Sequence, residues 1–199
     1  MDNHPLLFFY ILKSPAGKIS ACFPWPTGYY IINPMTLVNN VTRFLDARKI
    51  RYTAFETVAE KLGALETART LNIDPAIVYK TIVITRQKPG KPILAVIPGT
   101  GQADLKLIAA AVGEKKVNLP TEKEAETLTG LQAGGISPLA LINKGFQVVI
   151  DGSAKNLPEL HVSGGQRGLN LALSPDDLAA LTNARFALIS TPLDAAGEK

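Results

Sequence analysis

The chain has one cysteine, Cys22, and two histidines, His4 and His161, in 199 residues. A single thiol rules out an intramolecular disulfide framework, and these three residues match no recognised His/Cys zinc spacing. No metal centre and no cofactor are therefore expected. Long apolar runs are also missing: the longest early one, residues 6–12, is far short of the roughly 20 residues a membrane helix needs. It does not read as a signal peptide, because Asp2 and no Lys or Arg precede it and bulky Phe23, Trp25, Tyr29 and Tyr30 follow. A soluble, cytoplasmic protein is the expectation. There is no internal repeat, no run of five or six basic residues, no G-x-x-x-x-G-K-[ST], no strand-linked G-x-G-x-x-G and no G-x-S-x-G. Nucleotide-fold and serine-hydrolase chemistries lose their usual marks.

With 46% hydrophobic and 19% charged residues, the chain can build one core, and the net charge of +4 leans towards an anionic partner. Residues 1–34 read as an upstream extension, because Met35 opens a helix-like segment. The domain is expected over 35–192, with 193–199 as a tail.

Three- and four-residue apolar spacing predicts helices over 36–50, 58–71 and 104–112, and the Thr121–Glu124 capping pattern starts another that stops at Gly130. Stretches rich in β-branched residues at 79–85 and 92–98, split by the turn residues 87–91, predict a hairpin. Further strands are expected at 51–55, 116–119, 147–151, 160–163, 169–173 and 186–190. Ser174, Pro175 and two aspartates open a last short helix. Helices and strands intermix without a βαβ repeat, so the fold class is α+β, a single compact domain with a mixed, curled sheet.

Three features could carry chemistry. Lys80 enters an otherwise apolar strand, where it either works in a buried site or snorkels from an edge. Gly134-Gly135-Ile136-Ser137-Pro138 can aim several backbone N–H groups at one oxygen, as an ester carbonyl under attack requires, or it is simply a tight connection. Ser163-Gly164-Gly165-Gln166-Arg167-Gly168 places an arginine on a glycine scaffold, suited to phosphate, although Arg167 could equally pair with a surface carboxylate. His161, alternating with Leu160 and Val162, reads as solvent-facing or internally satisfied. No protein nucleophile stands out.

Taken together and in order, VYKT, GGISP and SGGQRG, with AAAVGEKKV and LSPDDLAALTNARFA, resemble the YbaK family, relatives of the editing domain inserted in bacterial prolyl-tRNA synthetases. The resemblance runs from about Val41 to Ile189. It implies a partly barrel-like sheet and a deacylase that removes cysteine from Cys-tRNA(Pro) and Cys-tRNA(Cys). By the same resemblance, Lys80 positions the terminal phosphate or ribose, and Gly134 through Pro138 hold the aminoacyl carbonyl, with Gly135, Ile136 and Ser137 as backbone donors. Thr57, Ser163, Gly164, Gly165, Arg167 and Asn170 would bind the substrate. In this scheme the substrate's own thiol attacks its ester and forms a thiolactone. The implied partners are the acceptor end of tRNA and prolyl-tRNA synthetase.

Two positions depart from the family pattern: Thr57 stands where a tyrosine is frequent, and Asn170 where an aspartate is. A wider or less acidic pocket would suit hydrolysis of another small aminoacyl-tRNA, such as Ala-tRNA(Pro). A third reading is a non-catalytic module that binds tRNA or a synthetase.

Overall fold

The computed structural model describes residues 38–193; the predicted extension at 1–34, with His4 and Cys22, lies outside them. The β2–β3 hairpin, Tyr79–Arg86 and Ile93–Pro98, is the centre of the domain. Every residue of β3 from Ile93 to Ile97 is buried, which fits a strand covered on both faces. Beside it run β6 (Gln147–Asp151) and β9 (Arg185–Ala187), both parallel, while β5 (Val117–Asn118) pairs antiparallel with β2. The resulting five-stranded mixed sheet has the order β5-β2-β3-β6-β9.

One face of this sheet packs Leu94, Val96, Val148 and Ile150 into the main core. There they meet α1 (Asn40–Ala47), α5 (Pro175–Thr182) and a second sheet of β1 (Tyr52–Glu56), β8 (Leu169–Leu173) and β7 (Leu160–Ser163). The other face packs Ile93, Ala95, Ile97 and Val149 against Ile108 and Ala109 of α3 (Leu105–Val112). A single parallel bridge, Val78 to His161, links the two sheets, and β4 (Gly101–Ala103) with β10 (Ser190–Pro192) forms a separate two-stranded ladder. The α+β fold stands, but the partly barrel-like closure is not supported. The strands make three separate sheets, and pieces of two or three residues such as β5, β9 and β10 are too short to carry hydrogen bonding around a closed ring.

Helix ends follow the local chemistry. Asn39 caps α1 by accepting from the N–H groups of Val41 and Thr42 at 2.9 and 3.0 Å, so α1 begins at Asn40; positions 36 and 37 of the expected helix lie outside the described residues. Thr121 and Glu124 cap α4 (Glu122–Thr129) reciprocally, and Gly130 ends it at φ +71°. The helix expected over 58–71 is helical only as α2, Ala64–Leu71. Residues 57–63 instead form an irregular strap whose Thr57 N–H donates to Gly168 O at 2.8 Å. The expected closing strand splits into β9 and β10, because the Ile189 N–H turns away to the buried Asp151 carboxylate, 3.1 Å away.

Candidate functional site

Strand registers gather several of the flagged residues. In β1 the side chains of Tyr52 and Ala54 face the main core, so Thr53 and Phe55 face the opposite side. Phe55 lies opposite Asn170, and Asn170 opposite Ser163. The Val78–His161 bridge runs parallel, so Lys80 and Ser163, each two residues further on, fall on that same side. One row therefore holds Phe55, Asn170, Ser163 and Lys80.

The Lys80 ammonium is half-buried, donates only to Gly99 O at 3.4 Å, and has no carboxylate partner among the described residues. Burial pushes its pKa below the ordinary lysine value. Of the two readings left open by sequence, the structure places it away from the position of a freely solvated edge lysine. Asn170 is buried at 7% exposure, with Oδ1 accepting from His161 Nδ1–H at 2.9 Å, and the Phe55 ring lies 5.2 Å from the imidazole. His161 is thus internally satisfied; burial lowers its pKa against the opposing pull of Asn170 and Glu159.

The two glycine loops are packed backbone to backbone. A Cβ on Gly135 would stand 3.0 Å from Arg167 N and from Gln166 C and Cα, so any larger residue would push the two loops apart by a few tenths of an ångström. Arg167 Nε locks it by donating to Ala133 O at 2.8 Å, which replaces the surface carboxylate that the sequence allowed as its partner. On the far side of the second loop, Asn39 Nδ2 donates to Gly164 O at 2.9 Å, and Gly165 packs on Val41 and Ala140.

Within GGISP the N–H groups are not equivalent. That of Gly135 closes a turn onto Gln132 O at 2.9 Å, whereas those of Ile136 and Ser137 have no partner among the described residues. Pro138 has no N–H and leads into a 3-10 helix, Leu139–Lys144. The Ser137 hydroxyl is fully buried and without a partner.

The strap at 57–63 touches both glycine loops. Gly168 packs against Thr57 and Ala59, Gly134 (φ +87°) against Lys61, and Gly99, the acceptor for Lys80, against Ala64 just beyond the strap. Lys61 also pairs with Glu122 at the start of α4. Neither Phe55 nor the strap residues beyond Thr57 were among the candidates named from the sequence. Alternation of Thr53, Phe55 and Thr57 against Tyr52, Ala54 and Glu56 would have exposed the first; the strap was hidden by an apolar spacing that reads as the start of the helix α2. The arrangement offers a cation, two open N–H donors and neutral polar walls, with no activated nucleophile among them.

The aminoacyl-tRNA editing domain family profile matches residues 58–181. A protein of Enterococcus faecalis, EbsC, named as a candidate Cys-tRNA(Pro)/Cys-tRNA(Cys) deacylase, is 36% identical over 154 residues, 76% of this chain and 93% of EbsC. Among solved structures, the hypothetical protein APE2540 superposes with a TM-score of 0.70 at 24% identity, covering 77% of this chain and all of that one. A candidate trans-editing enzyme for prolyl tRNA synthetase follows at 0.64 and 23%, covering 77% and 99%. These two establish the likeness of fold. With the profile spanning the strap, both glycine loops and Lys80, and with the EbsC match covering three quarters of its length, the chain belongs to the aminoacyl-tRNA editing domain family.

Proposed function

We propose that the chain is a trans-acting aminoacyl-tRNA deacylase that removes cysteine from Cys-tRNA(Pro) and Cys-tRNA(Cys). The observation that carries this reading is the pair of unpartnered N–H groups at Ile136 and Ser137, in a loop held rigidly against Arg167 and on a domain whose half-buried Lys80 lacks a counter-charge. The substrate named for EbsC supports the choice of cysteine.

In this scheme Lys80 and Arg167 hold the phosphate and ribose of the terminal nucleotide, while Ser163, Asn170 and Thr57 wall the amino acid. Gly164 and Gly165 allow the second loop its close turn. The ester carbonyl oxygen sits on the Ile136 and Ser137 N–H groups, which stabilise the charge that develops on attack; one such donor is worth about 10²–10³ in rate. Gly135 shapes the loop but spends its own N–H inside it. The substrate's thiolate forms the C–S bond, the ester C–O bond breaks, and the departing ribose oxygen takes a proton. The products are a thiolactone and free tRNA. An intramolecular attack of this kind reaches effective molarities of ~10⁵ M or more, so no protein nucleophile is needed.

Purified protein is given Cys-tRNA(Pro), Cys-tRNA(Cys) and Ala-tRNA(Pro), and the products are separated. Rapid loss of cysteine with thiolactone trapped is the expected result. Free cysteine or free alanine would move the chemistry to water attack, and no release from any of them would leave a binding module. We further propose a salt-sensitive complex with prolyl-tRNA synthetase; failure to co-purify at low salt, with or without tRNA, overturns it.

A further inference from the structure

The charges on the two flanks of the site differ in sign. On one flank lie the strap and α4, where Glu60, Glu122, Glu124 and Glu126 outnumber Lys61 and Lys123; Glu122 pairs with Lys61, and Glu126 accepts from Ala133 N–H in the loop leading to GGISP. On the other lies α1, whose cap residue Asn39 donates to Gly164 O and Gln166 Oε1 of the second glycine loop. This helix and the turn after it expose Arg43, Arg48, Lys49 and Arg51, and none of the four has an ion-pair partner among the described residues. The one acid in the segment, Asp46, accepts from the Tyr52 hydroxyl at 3.0 Å. The Arg48 guanidinium lies 3.7 Å from the Phe44 ring centroid, which presents its planar fork of donors at the surface.

We propose that α1 and the turn to Arg51 bind the phosphodiester backbone of duplex RNA leading away from the aminoacyl end. This inference rests on the reading of the site given above. The basic helix starts at the loop that would hold the terminal nucleotide and extends roughly 13 Å to Arg48 at 1.5 Å per residue. A strand leaving over the opposite flank would instead meet carboxylates. Arginines without internal partners, spaced along one element and next to an ester site, suit phosphates that fix register without reading sequence.

The test is a salt titration of uncharged tRNA binding by the full chain and by Arg43→Gln/Arg51→Gln, both at exposed positions. The slope of log affinity against log salt should fall by about two in the double variant, roughly one per lost phosphate contact. For the charged tRNA, KM should rise about tenfold with kcat unchanged, and an aminoacylated CCA trinucleotide, which has no duplex, should be cleaved as by the parent. Lys88→Gln/Lys91→Gln, in the hairpin turn at the other end of β2, should alter none of these. An unchanged slope in the Arg43/Arg51 variant overturns the surface even if deacylation is normal, as does an equal loss on the trinucleotide. Loss of synthetase binding without a change in the tRNA slope would assign α1 to a protein partner and also refute the proposal. If the parent cleaves no aminoacyl-tRNA, the reading of the site fails, while the titration still decides the surface.

Discussion

Gly135→Ala tests the claim that the two loops form one rigid unit. The added Cβ would stand 3.0 Å from three backbone atoms of Gln166 and Arg167, inside ordinary van der Waals contact, so the loops must part by a few tenths of an ångström. Gly135 is not at positive φ, so alanine brings no backbone strain of its own and the contact alone is perturbed. The facing atoms are main chain, tied by Arg167 Nε to Ala133 O and by Asn39 to Gly164, and cannot rotate aside. Overpacking of this kind costs about 1–3 kcal/mol. For a chain of this size that lowers Tm by roughly 2–12 °C. The same displacement moves the Ile136 and Ser137 donors, and kcat for deacylation should fall about 10–100-fold, towards the loss of a whole donor. KM should rise as well, because Arg167, one of the two proposed phosphate contacts, faces the added Cβ. Single-turnover deacylation and thermal melts measure both quantities. Wild-type kcat together with wild-type Tm would refute the packing argument, and reduced Tm with full kcat would separate the loop contact from the chemistry.

Ser137→Ala removes a fully buried hydroxyl that has no partner, leaves the backbone donor in place, and should raise stability by up to about 1 kcal/mol with little loss of kcat; a lower urea midpoint would show that the hydroxyl is satisfied in solution. Lys80→Met keeps the length of a half-buried side chain and deletes its uncompensated charge, so Tm should rise while deacylation falls at least about 100-fold; retained activity would remove Lys80 from the site. His161 has a folded-state pKa below its unfolded value. Its contribution to stability is therefore complete above about pH 6.5 and shrinks as pH falls through that value towards the folded pKa. Urea midpoints taken from pH 7.5 down to 5 should decline more steeply in the parent than in His161→Gln, and parallel slopes would refute this sign.

The parts of the fold that follow from periodicity or capping were readable. The β2–β3 hairpin, β6, β7 and β8, and the starts of α4 and α5 lie where alternation, turn residues and N-caps placed them. The candidate site was legible only as separate candidates, Lys80 and the two loops, and not in its packing, since Gly135 against Gln166 and Arg167 spans distant parts of the chain. The family resemblance also implied three backbone donors, of which the Gly135 N–H is already used in a turn onto Gln132 O. Leu62 and Leu65 gave residues 58–63 a helical look that tertiary contacts with Gly134 and Gly168 override. The parallel pairing of β3, β6 and β9, and the separation of the strands into open ladders, are set by long-range registers with no local signature.

The strand that carries Phe55 pairs with β8, whose last residue is Leu173. During synthesis at about 5–20 residues per second, β1 therefore waits on the order of ten seconds for its partner to leave the ribosome. Pairing between such distant segments also forms slowly, because a long loop must close first. Phe55, Asn170 and the strap thus come together only once β8 has emerged, and a nascent chain cut short before β8 would hold Lys80 and the GGISP loop without Asn170 or the Gly168 contact to the strap.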